Sequence, residues 1–343
     1  TYSLTTSGVG SAGDITLVDT GALNSSQITT LATGASAQTI QLTAATGDLT
    51  VDAAIGNADD HLTLVASAGD IVGGATATAA TLTLDAAGGI GIGTTVTTNA
   101  NSLNLNSSGG GGSGDITVVQ ASAVNLSVST AANTQNVSVT VSAGDLIAGN
   151  PLGDANDDVT LITSAGNVVG GATVTADTLT VNASGGIGIG TALDTDADTL
   201  NLTTAGVGAA GDITIVQVDS ASLSIATDAS SQTISVTLTT GDFTVGGTIG
   251  DGSDCLTFVA SSGNIVGGGT VTANDLTLNA SGGIGIGTAV TANATTYNLT
   301  TAGVGTAGNI ALVDTNGLNT SQLTLTTDAT AQSVSLTAST GNL

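Results

Sequence analysis

The chain has 343 residues with 26 Asp, no Lys or Arg and one His, a formal charge of −26, yet 40% of it is hydrophobic. Phosphate backbones and anionic lipid surfaces are bound by Lys and Arg, so nucleic acid and acidic membrane are excluded as direct partners. A disordered acidic chain would be less hydrophobic, the single Cys255 cannot form an internal disulfide, and no apolar run approaches the ~18 residues of a membrane helix.

Read in chain order, TYSLTTSGVGSAGDI opens at Thr1 and returns as TLNLTTAGVGAAGDI from Thr199 and TYNLTTAGVGTAGNI from Thr296. A shorter unit begins wherever Gly is followed by Asp or Asn and an apolar stretch: Gly13, Gly47, Gly69, Gly114, Gly144, Gly166, Gly211, Gly241, Gly263, Gly308 and Gly341. Three GGIGIG strings, at Gly88, Gly185 and Gly282, supply the remaining starts at Gly89, Gly186 and Gly283 and are spaced 97 residues apart. Four segments of 20 to 30 residues therefore make one 97-residue cycle, with four extra residues in the first cycle between Gly13 and Gly47.

Within segments the pattern alternates, as in His61-Leu62-Thr63-Leu64, Thr81-Leu82-Thr83-Leu84 and Ser102-Leu103-Asn104-Leu105. Period two predicts half-buried strands, and Thr, Val and Ile suit a pleated surface. A segment this short cannot bury its own apolar face and must stack on its neighbours. The expected fold is an all-β, parallel β-helix or β-solenoid of about fourteen coils, with four coils per 97-residue superrepeat. Gly reaches the positive φ of a sharp corner, and the Asp or Asn after it is expected to bond the backbone two residues on. The organisation expected is one continuous solenoid over 1–343, with superrepeats 13–113, 114–210 and 211–307 and partial units 1–12 and 308–343. Further cycles are expected on both sides in a longer parent chain. A string of immunoglobulin-like sandwiches is the rival reading of a 97-residue period, but it lacks a core Trp and does not explain the shorter repeat.

SAGDI, GDITLVDTGALNSS and GNIVGGGTVTANDLTLNASGGIGIG, with the Gly-Asp-apolar segment start, resemble the repeat regions of large bacterial filamentous-haemagglutinin-like and autotransporter-like adhesins. That resemblance implies a right-handed parallel β-helix, secretion, a cell-surface or extracellular position, and a part in adhesion or filament building. It carries no catalytic residues. The absence of basic residues departs from many such adhesins and argues against glycosaminoglycans and other anionic ligands.

Aligning GNADDHL from Gly56, GDANDDV from Gly153 and GDGSDCL from Gly250 places His61, Asp158 and Cys255 at one position, where three unrelated chemistries point to a structural spot at a strand edge. The same loops are acidic in every copy, through Asp59 and Asp60, then Asp154, Asp157 and Asp158, then Asp251 and Asp254. Carboxylates so grouped are the candidate Ca²⁺ ligands, the competing reading being an Asx-rich turn. Asp194, Asp196 and Asp198 read as an outward polar ladder. GGIGIG lacks both the Lys and the spacing of a phosphate loop and reads as a corner.

The expected function is an extracellular structural or adhesive repeat protein forming a rigid stalk or filament at the cell surface, and not an enzyme. The alternatives are a self-assembling filament or sheath subunit with Ca²⁺-stabilised loops and, more remotely, a polysaccharide-processing β-helix enzyme. No cofactor is required, Ca²⁺ being the one candidate. The partners expected are neighbouring repeats or chains, a host or cell-surface protein, or a neutral glycan.

Overall fold

The computed structural model describes residues 1–8, 10–32, 37–328, 330–341 and 343, with only the backbone described at 10, 11 and 32. The chain is an all-β parallel β-solenoid of about 15 turns. Its contacts fall into two units, Thr1–Gly166 with Gly171–Asp177, and Asn167–Gly170 with Thr178–Leu343. Among the described residues the only helical elements are single 3₁₀ turns of three or four residues, and no helix is long and apolar enough to cross a membrane.

In the first unit, strand Thr39–Ala44 pairs in parallel with His61–Ala66, which pairs with Thr76–Ala86, which pairs with Val96–Ser107. Leu62, Leu82 and Leu103 thereby stack in one inward column and Leu64, Leu84 and Leu105 in the next, all at most 1% exposed. The alternate residues Thr63, Thr83 and Asn104 face outward in the same register. Each buried Leu contributes about 1.5–3 kcal/mol, and only because a copy sits above or below it.

The second unit repeats the scheme through Thr233–Leu238, Cys255–Ala260, Thr270–Ala280 and Val290–Thr301. Its columns hold Ile234, Leu256, Leu276 and Tyr297, and then Val236, Phe258, Leu278 and Leu299. Phe258 stacks on Phe243 with centroids 4.7 Å apart.

The corners follow the sequence expectation in part. Gly144 (φ 84°) and Gly241 (φ 77°) do occupy the left-handed region. Gly166 and Gly263 do not, and are glycine for another reason: a Cβ there would lie 2.2 Å from the Gly144 carbonyl oxygen and 1.8 Å from that of Gly241. One glycine turns the chain, and the glycine of the next coil lets the backbones stack.

The Asp or Asn after several of the segment-opening glycines also behaves differently from the local turn expected. Its side chain accepts from an N–H on the next coil: Asp48 Oδ1 from Asp70 (2.9 Å), Asp70 Oδ1 from Gly89 (2.8 Å), Asp242 Oδ1 from Asn264 (2.8 Å) and Asn264 Oδ1 from Gly283 (2.9 Å). Asp115 and Asp212 do the same for Asn136 and Thr233 (2.8 and 2.7 Å). These bonds satisfy corner N–H groups that the strand ladder leaves open.

Candidate functional site: the acidic loops and the corner above them

The three acidic loops are built alike. Each starts on a glycine with positive φ, Gly56 (82°), Gly153 (76°) and Gly250 (68°), which turns the chain back toward the next strand. An Asx turn follows, in which Asn57, Asp154 and Asp251 accept the N–H two residues on at 2.9, 2.8 and 2.7 Å. The last loop carboxylate, Asp60, Asp157 or Asp254, is then driven inward to 0% exposure.

Those inward carboxylates are held by donors of their own chain. Asp157 Oδ1 accepts the Gln135 N–H (3.2 Å), and its Oδ2 accepts the Thr130 hydroxyl (2.6 Å) and the Asp154 N–H (3.0 Å). Asp254 repeats this with Gln232 (3.0 Å), Thr227 (2.7 Å) and Asp251 (3.0 Å). Asp60 accepts from the Gln38 N–H (3.1 Å) and the Asn57 amide (2.6 Å). Burial pushes the carboxyls of Asp157 and Asp254 up from their ordinary value, against the opposing pull of the Thr hydroxyls and backbone N–H groups.

The other predicted residues lie elsewhere. Asp59 and Asp158 are exposed, and Asp154 and Asp251 are half-buried. His61, Asp158 and Cys255 each open a strand, in register with Thr39, Asn136 and Thr233. Among the described residues, no three His, Cys, Asp or Glu side chains converge as a metal site would require. A Ca²⁺ ion takes six to eight oxygens, whereas the inward oxygens here already accept N–H and O–H donors. The inward carboxylates thus act as caps of the loops.

Asp194 and Asp196 are half-buried and Asp198 is exposed, as an outward ladder requires. Burial, then Asp219, then Asp198, pushes the Asp196 carboxyl up.

Two features carry no local sequence signal. Gln135 and Gln232, buried at 0% and 1%, each donate Nε2 across the coil to the carbonyl of Gly109 and Gly206, lying in the slot left by Gly114 and Gly211. Their pointer is long-range: Gln38, Gln135 and Gln232 recur at the 97-residue spacing. The second feature is a polar hollow of about 310 Å³ in the second unit, lined by Gly252, Asn293, Thr295, Asn316 and Gln322 among others. Compared with known proteins, the chain matches no family model, no curated protein and no solved structure.

Proposed function

We propose that the chain is the repetitive, load-bearing part of an extracellular structural or adhesive protein, a stiff stalk or filament at a cell surface. The observation that carries this reading is where the polar chemistry goes. The corner carboxylates and amides reach the next coil, as Asp242 does to Asn264 and Asn264 to Gly283, and the buried loop carboxylates bond both their own turn and the preceding coil, as Asp254 does to the N–H groups of Asp251 and Gln232. Side chains engaged in joining coils are suited to holding shape under load, because in a solenoid stability is a sum of nearest-neighbour interfaces. The likeness of GDITLVDTGALNSS and its repeats to adhesin repeat regions supports a surface position and secretion. A non-enzymatic role is favoured because catalysis needs converging, pKa-tuned groups in a pocket, and the raised loop carboxyls Asp157 and Asp254 are instead saturated by Thr and backbone donors.

Small-angle scattering with electron microscopy tests the proposal. A stalk segment gives a uniform cross-section and a length that grows in proportion to the number of 97-residue cycles in the expressed chain. Compact particles whose cross-section grows with cycle number would overturn it.

A further inference from the structure

The hollow in the second unit arises where two projections flank a corner of the coil. On one side is the loop around Gly252, where even a Cβ would meet nothing within 4 Å. On the other is the 3₁₀ turn Thr320–Gln322, closed by a capping box between Asn319 and Gln322. The floor between them is the corner Asn293-Ala294-Thr295 of strand Val290–Thr301.

Its chemistry is unusual for a chain of charge −26: no Asp lines it, and neither does any large apolar or aromatic side chain. Asn316 Nδ2 donates to Asn293 Oδ1 (2.6 Å), and Gln322 Nε2 donates to the Thr295 carbonyl (2.9 Å). Asn293 Nδ2, Asn316 Oδ1 and Thr295 Oγ1 have no protein partner among the described residues. The nearby Asp251 directs its Oδ1 to Ser253, and Asp314 is buried against Tyr297. Of the three copies of this corner only the middle one, Asp196-Ala197-Asp198 beside Asp219, is acidic; the first, Asn99-Ala100-Asn101 beside Ser122, is neutral as this one is.

We propose that this hollow binds a neutral saccharide of about two sugar rings. Amide and hydroxyl groups that can both donate and accept match sugar hydroxyls. Anions are disfavoured by the net charge, metal cations find no carboxylate, and apolar ligands find no apolar wall. The volume lies at the lower end of the ~300–1,000 Å³ typical of small-molecule sites. Without an aromatic ring to stack on, the affinity is weak, with Kd on the order of 1–10 mM. The inference deepens the adhesive side of the proposed function by naming a ligand class, but its chemistry stands apart from the stalk reading.

The test is amide-resolved NMR titration of the full chain with maltose, cellobiose and lactose, each to about 50 mM, several times the expected Kd. At least one sugar is expected to shift Asn293, Thr295 and Asn316 selectively. Asn316→Asp, which keeps the shape and adds a charge at an exposed position, is expected to weaken that binding at least tenfold, whereas Asn104→Asp in the first unit leaves it unchanged. Absence of selective shifts with all three sugars, or binding indifferent to Asn316→Asp, overturns the proposal. Scattering on the same samples reads the stalk form separately, so loss of sugar binding with a uniform cross-section retained would reject this inference alone.

Discussion

One position in the second unit is solved in two ways, a cycle apart. In the earlier copy, the Thr195 hydroxyl donates to Gln217 Oε1 (2.5 Å), and Gln217 Nε2 donates to the Ala197 carbonyl (2.9 Å), with Leu200 beside them in the core. In the later copy, Thr195, Gln217 and Leu200 are replaced by Ala292, Asp314 and Tyr297. The Tyr297 hydroxyl now donates to Asp314 Oδ2 and accepts the Ala294 N–H (2.9 Å). Burial first, then the bond to Asp314, drives the Tyr297 phenol well above its ordinary pKa. The first unit uses the earlier solution again, with Thr98, Gln120 and Ala100. What stays constant is a buried corner that needs hydrogen bonds. The residues that supply them change as a set, because a shorter acid leaves room that only a longer partner from the neighbouring column fills.

The largest expected effect comes from mixing the two sets. Tyr297→Phe removes the donor to an Asp314 carboxylate that is 1% exposed, so stability should fall by about 3 kcal/mol in urea unfolding. Installing the whole alternative set, Ala292→Thr with Tyr297→Leu and Asp314→Gln, should recover most of that loss. If the triple variant were no better than the single one, the two solutions would not be interchangeable.

Thr195→Val is expected to cost less, about 1–3 kcal/mol, because it leaves only the neutral Gln217 oxygen without its donor. The same measurement on Thr98→Val should give a smaller value, since Gln120 Oε1 also accepts the Ala100 N–H at 3.3 Å.

A smaller effect is expected with pH. Asp157 and Asp254 have carboxyl pKa values raised on folding, so the native state binds protons more readily than the unfolded chain. Their contribution is fully present below the unfolded pKa of about 3.9 and is lost as pH rises through the raised folded value. Asp19 and Asp52, held below the ordinary value chiefly by the Gly21 N–H and the Ser26 hydroxyl respectively, act in the opposite sense and lose their contribution as pH falls. Replacing both raised groups, Asp157→Asn with Asp254→Asn, should reduce the gain in Tm between pH 7 and pH 4.5. A gain unchanged in the double variant would place its origin in the overall charge.

The smallest expected effect is at Asp70, which stacks on Asp48 where the second unit has Asn264 on Asp242, with the Asn264 amide donating to Asp242 at 3.0 Å. Asp70→Asn should stabilise by about 0.5 kcal/mol at low salt by removing a like-charge contact, and the gain should shrink as salt is added. Chelator should leave Tm unchanged, since the loop carboxylates are occupied by their own chain.

The coil repeat, the strand alternation and the GGIGIG corners were legible because they are local patterns written several times. Leu62, Leu82 and Leu103 alternate with Thr and Ser in the sequence and are stacked inward in the fold. The destinations of the polar side chains were not legible. Asp242 looks like a turn residue from its neighbours, and its partner Asn264 lies 22 residues away, where no local rule reaches. The loop acids showed the same gap, since nothing in GDANDDV says that Asp157 turns inward while Asp158 faces out. Only the recurrence of Gln38, Gln135 and Gln232 one cycle apart hinted at the buried amides below those loops.

Backbone hydrogen bonds observed directly by through-bond NMR couplings would decide most. The Ser67, Ala87 and Ser108 amides should couple to the carbonyls of Ala44, Ala66 and Ala86, each one coil earlier. Couplings that instead join strands within one segment, in hairpin fashion, would contradict the stacked-coil architecture.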